Sequence, residues 1–167
     1  MDHLWTPWRY RYVSETVKGA PCVFCRMAAE TGRDRENFVV HRAGKNFVVL
    51  NLFPYTSGHA MVVPYAHAAS LTSLAELDSE ALREMMTLAR DLEGALQALY
   101  RPEGYNFGMN LGCAAGAGIA DHLHLHFLPR WSGDTNFMTV VGETRLLPED
   151  LSVTYDKLSG FFRRQAS

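Results

Sequence analysis

The chain has 167 residues, a formal charge of −2, a pI near 6.4 and three cysteines. That length can bury most of the surface an unfolded chain exposes, so no disulfide staple is required. The near-neutral balance supplies no field to attract nucleic acid or an anionic membrane, and a small phosphorylated ligand would have to be held by local groups. Arg9, Arg11 and several aromatics crowd the first residues without a long apolar core. No later stretch reaches membrane-spanning length, and the chain reads as cytoplasmic, with its odd number of cysteines kept reduced.

Residues 1–20 lack periodicity, but Trp5, Trp8, Tyr10 and Tyr12 are too apolar for a solvated tail and are expected to dock. Residues 22–29 suit a short helical turn. Two β-rich runs, 38–41 and 47–51, flank Ala43-Gly44-Lys45 and predict a hairpin with glycine in the turn. A third strand is expected over 59–64. The clearest helix starts near Asp78, a good N-cap, and carries Leu82, Met85, Ala89, Leu92, Leu96 and Leu99 at three- and four-residue steps before stopping at Pro102 and Gly104. Tyr105, Phe107, Met109 and Leu111 alternate as a fourth strand, and a glycine-rich loop over 112–120 follows. A terminal helix is expected within 146–162, with Leu151, Tyr155, Leu158 and Phe162 on one face. Hairpins without regular βαβ alternation indicate an α+β fold, with an antiparallel sheet of about five strands, a long helix and a C-terminal helix.

The fifth strand is the distinctive one. In His122-Leu123-His124-Leu125-His126-Phe127, side chains alternate between faces, so three histidines line one side and three apolar residues the other. Imidazole is the side chain most suited to proton transfer, nucleophilic attack and metal binding near neutral pH. Cys22 and Cys25 have the spacing of two ligands to one tetrahedral zinc. A pair of buried free thiols is the alternative.

His-x-His-x-His followed by apolar residues resembles the signature of the histidine triad (HIT) superfamily. Further similarity runs through Leu4-Trp5-Thr6-Pro7-Trp8-Arg9, Cys22-Val23-Phe24-Cys25, Leu50-Asn51-Leu52-Phe53-Pro54-Tyr55 with Gly58-His59, and Gly133-Asp134-Thr135-Asn136-Phe137-Met138. The pattern is that of a bacterial branch related to fragile-histidine-triad proteins and diadenosine tetraphosphate phosphorylases. It implies one HIT domain over 1–167, with an N-terminal segment (1–36), a core (37–131) and a C-terminal extension (132–167), and it implies a homodimer.

The resemblance assigns roles by position. His124 would be the nucleophile on the α-phosphate of an adenine nucleotide, with His126 hydrogen-bonding the phosphate and the leaving oxygen. A structural zinc would be held by Cys22, Cys25, His67 and His122; no organic cofactor is implied. Asn51 would meet the ribose hydroxyls, with His59 nearby and Asn110 against the phosphates. Backbone N–H groups of Gly116, Ala117 and Gly118 are plausible phosphate donors, since a glycine-rich loop lies directly before the triad. Val49 and Met61 match positions that sandwich the base, or are simply core. Arg130 and Trp131 would meet the distal phosphates or second nucleoside, or are a solvated cation and a packing ring.

In hydrolytic relatives a glutamine sits six residues before the nucleophile, where this chain has Gly118. The implied activity is therefore nucleotidyl transfer from a nucleoside polyphosphate through a nucleotidyl-histidine, with inorganic phosphate as acceptor. Hydrolysis of the same substrates, three histidines around a catalytic metal, and a non-catalytic nucleotide sensor are the competing readings.

Overall fold

A computed structural model describes residues 21–134 and 149–165. The expected docking of Trp5, Trp8, Tyr10 and Tyr12, residues 135–138 of the last motif and residues 146–148 of the terminal helix lie outside the described residues. In chain order the elements are α1 (Val23–Ala29), β1 (Val39–Arg42), β2 (Asn46–Leu50), β3 (Ala60–Pro64), α2 (Leu71–Leu77), α3 (Ser79–Tyr100), β4 (Gly104–Gly108), a 3-10 turn (Cys113–Ala115), β5 (Leu125–Arg130) and α4 (Leu151–Gln165). The five strands form one antiparallel sheet in the order β1-β2-β3-β5-β4. The fold is α+β.

The β1–β2 hairpin is tied to α3 through its tip. The Glu84 carboxylate accepts the N–H groups of Gly44 and Lys45 at 3.0 and 2.7 Å and the Asn46 side-chain amide at 2.8 Å. Asp78 caps α3, accepting from the Glu80 N–H at 3.1 Å. The helix ends where Arg101 turns left-handed before Pro102. Its buried face is Ala81, Met85, Leu88, Ala89, Leu92, Ala95 and Leu96. Leu82 and Leu99, expected within the stripe, lie at its margins and are only partly buried.

The short helix α2 has no counterpart in the sequence expectations. Leu71, Leu74 and Leu77 recur at three-residue steps, but the element has only 7 residues and Leu74 is its one buried residue. Ser70 and Ser73 start it with reciprocal side-chain to backbone bonds of 3.1 Å.

Every residue of β2 is buried, because both faces of the sheet are covered. Val48 and Leu50 join Val62, Leu92, Leu96, Leu125, Phe127, Leu158 and Phe162 beneath α3 and α4. Phe47 and Val49 join Val39, Met61 and Val63 beneath Phe24 and Met27 of α1. No helix among the described residues is long and apolar enough to cross a membrane.

Two expected strands shift. β4 ends at Gly108, leaving Met109 and Leu111 beyond it. β5 starts at Leu125, so His122 and His124 precede the ladder. The alternation survives because the segment stays extended, with the Leu123 N–H donating to the Ala68 carbonyl at 2.7 Å.

Candidate active site

The triad lies on the sheet face covered by α1, and α1 is anchored at both ends. The Arg42 guanidinium, paired with Asp34, donates to the terminal carbonyls of Met27 and Ala28 at 2.7 and 3.2 Å. At the other end Cys22 is the N-cap and Cys25 lies in the first turn. Both thiols reach His122.

Cys22 Sγ lies 3.4 Å from His122 Nδ1, Cys25 Sγ 3.6 Å from the same atom and 3.3 Å from His67 Nδ1, and the two Nδ1 atoms are 3.2 Å apart. All four ligand atoms fall within 4.8 Å of one another. A tetrahedral zinc with its usual bond lengths would space two nitrogens about 3.3 Å apart and a nitrogen and a sulfur about 3.6 Å apart. The donor set therefore fits zinc. His122 Nε2–H donates to the Pro64 carbonyl at 2.9 Å, which turns the Nδ1 lone pair towards the cluster. Burial holds this imidazole neutral, its pKa pushed down to about 4. Burial and the neighbouring Cys22 thiol raise Cys25, a pressure that a bound cation reverses.

His124 is oriented by the preceding histidine's backbone. Its Nδ1–H donates to the His122 carbonyl at 2.9 Å, which leaves Nε2 with the free lone pair. Burial lowers its pKa, keeping the ring neutral and nucleophilic, although that hydrogen bond works in the opposite direction. The Phe24 ring packs on both His122 and His124, with centroids 5.4 and 5.0 Å away.

His126 is set through a relay that begins at a backbone amide. The Tyr55 N–H donates to His59 Nδ1 at 3.2 Å, so a neutral His59 carries its proton on Nε2. That Nε2 lies 3.0 Å from His126 Nδ1 and donates to it. His126 is then left with an Nε2–H, a donor suited to a phosphate or a departing oxygen. Burial, followed by the field of His124, lowers the His126 pKa to about 4.

Asn51 follows β2 beside this relay. Its Oδ1 accepts from the Phe53 N–H at 3.0 Å and its Nδ2 lies 3.4 Å from His59 Nε2. Val49 pairs with Met61, and Met61 pairs with His126. Both are buried, Val49 directly in the layer beneath α1. Asn110 is part-buried between β4 and the 3-10 turn.

Two of the three candidate phosphate donors make bonds within their own loop. Gly116 closes the 3-10 turn in a left-handed conformation, and its N–H donates to the Cys113 carbonyl at 2.9 Å. The Ala117 N–H points to the Gly112 carbonyl at 3.4 Å. Both are turned into the loop, whereas the Gly118 N–H finds no hydrogen-bond acceptor among the described residues. Arg130 is exposed and is also paired. Its guanidinium grips Asp134 through Nε and Nη2 at 2.5 and 3.0 Å and Asn106 Oδ1 through Nη1 at 2.6 Å. The Trp131 N–H reaches Asp134 at 3.4 Å.

Three contributors were not foreseen. Phe24 stands between the two cysteines in sequence and could have been found there. The Tyr55 N–H and the Pro64 carbonyl act through backbone atoms, for which residue type carries no signal.

A HIT domain family model matches residues 33–133, and the chain belongs to the HIT family. Among its relatives is the AP-4-A phosphorylase of Mycobacterium tuberculosis, 38% identical over 171 residues spanning 99% of this chain and 86% of that protein. A zinc-bound histidine triad family protein from Mycobacterium smegmatis superposes with a TM-score of 0.68 at 25% identity, over 87% of this chain and 95% of that one. A hypothetical histidine triad nucleotide-binding protein from Sulfolobus tokodaii shares the fold, with a TM-score of 0.65 at 22% identity over 86% and 93% of the two chains.

Proposed function

We propose that this chain is a diadenosine tetraphosphate phosphorylase working through a nucleotidyl-histidine on His124. The observation that carries the reading is the 2.9 Å bond from His124 Nδ1 to the His122 carbonyl, because it commits the lone pair of Nε2 to attack. Nε2 bonds to the α-phosphorus, the bond from phosphorus to the bridging oxygen breaks, and ATP departs on that oxygen. The His126 Nε2–H hydrogen-bonds the oxygen as charge develops. A phosphate oxygen then attacks the same phosphorus and displaces Nε2, giving ADP. Gly118, standing where hydrolytic relatives carry a glutamine, supports phosphate as acceptor, since a glycine brings no bulky amide and its N–H has no acceptor among the described residues. The similarity to the mycobacterial phosphorylase supports the same substrate.

Zinc held by Cys22, Cys25, His67 and His122 would be structural, fastening α1 to the triad segment. Asn51 and Asn110 are assigned to ribose and phosphates, and Val49 and Met61 to one wall of the base pocket. The protein works as a homodimer in the cytoplasm. Isotopically labelled phosphate tests the acceptor: label should enter ADP, with ATP as the second product. AMP as the main product at millimolar phosphate would make the protein a hydrolase, and loss of turnover in His124→Asn with AMP binding retained tests the nucleophile in either case.

A further inference from the structure

The surroundings of His126 are unequal on its two sides. Residues paired across an antiparallel ladder project to the same face, so His126 has two cross-strand neighbours on the triad face. On the β3 side the neighbour is Met61, buried at 8% exposure, and His59 lies beside it, bonded to His126 Nδ1. Along its own strand the His124 ring stands 4.8 Å away. On the β4 side the neighbour is Gly108, which has no side chain. A Cβ built there would meet nothing within 4 Å.

Gly108 is the last residue of β4 and is still paired with His126, a position where glycine costs backbone entropy and packs nothing. At Gly108 neither of the usual structural reasons applies: its φ is not positive, and no neighbouring group among the described residues would collide with a Cβ. A strand glycine also marks places where something outside the strand approaches closely. Here the open place adjoins the histidine that would contact the departing oxygen.

We infer that Gly108 is a specificity-determining residue that leaves room beside His126 for a bulky leaving group. This rests on the reading that His124 takes an adenylyl group, and it adds which side of the site the rest of the substrate occupies. The polyphosphate leaves over β4, since Met61, His59 and His124 fill the other approaches to His126. The next positions on that face lead from Asn106 to Arg130, which are bonded to each other. A side chain at position 108 would obstruct large leaving groups and spare small ones.

The test compares adenylyl donors that differ only in what departs: adenosine 5′-phosphorofluoridate, adenosine 5′-(4-nitrophenyl phosphate) and diadenosine tetraphosphate. In Gly108→Val, kcat/KM for the two large donors should fall about tenfold or more while that for the fluoridate stays within about twofold, the discrimination a few added carbons give in a close-fitting site. Gly108→Ala should fall between, and neither variant should lose thermal stability, because valine suits an extended strand. Equal losses on all three donors, or none, would overturn the inference. So would a changed oligomeric state with all activities lost together, which would make Gly108 a subunit contact. If Gly108→Val does not fold, the ratio of large to small donors in Gly108→Ala decides. A wild-type protein that cleaves the nitrophenyl ester but not diadenosine tetraphosphate would refute the proposed substrate, while the ester and fluoridate still judge Gly108.

Discussion

Leu123, Leu125 and Phe127 face a core built from α3, α4 and the sheet, while His122 and His124 meet Phe24 of α1 and His126 lies beside them on the same side. The apolar face is held by many interchangeable contacts, none of which selects one atom. Each histidine is held by a particular partner: the Pro64 carbonyl, the His122 carbonyl and the His59 ring. Packing of the first kind sets where the segment lies. Bonds of the second kind set which nitrogen carries a proton, and the chemistry depends on that.

Substitutions on the two faces should therefore separate activity from stability. His124→Asn removes the proposed nucleophile from the polar face, and we expect turnover to fall by about a thousandfold or more with little change in melting temperature. Single-turnover assays beside thermal melts would show it. Phe127→Ala on the opposite face should cost about 3–5 kcal/mol of stability by denaturant titration, the usual result of emptying a buried aromatic site. The protein that remains folded should keep most of its kcat.

His122 belongs to both categories, since its ring is fully buried and also meets the cysteine cluster. Cys25→Ser should lower the melting temperature clearly and abolish stoichiometric zinc in elemental analysis, because binding energy at a structural site is folding energy. Unchanged melting with no metal bound in the wild type would remove zinc from the account. His59→Phe keeps an aromatic ring but deletes the donor to His126 Nδ1. We expect kcat to fall about a hundredfold while AMP affinity holds within a few fold, as for a disturbed proton-donor position. Equal loss of affinity and kcat would show that the relay serves packing instead.

The smallest effect concerns acid. The His126 pKa is pushed down to about 4 from an ordinary value near 6.5, so the fold favours the neutral ring. Its contribution to stability is complete above pH 6.5 and is lost as pH falls from there towards 4. Between pH 7 and pH 5.5 that loss should be on the order of 1 kcal/mol. His126→Gln should show a correspondingly flatter melting profile over that interval than the wild type.

The order of elements, the long helix with its Asp78 cap and the alternation of histidine with leucine were readable because each rests on a local repeat or a local cap. The proposed nucleophile and the four metal-ligating candidates also had sequence marks, in the triad and the Cys-x-x-Cys spacing, once a resemblance linked His67 to them. Helix α2 escaped because a repeat of three leucines over 7 residues is too short to stand out, and the limits of β4 and β5 moved because pairing ends where partners end. Only the tertiary structure brought Cys25 within 3.3 Å of His67, placed the Tyr55 N–H on His59, and turned the Gly116 N–H inwards. The reason is physical: residue type fixes which groups can donate or accept, whereas the tautomer of an imidazole and the freedom of an amide depend on whichever atom the fold sets about 3 Å away.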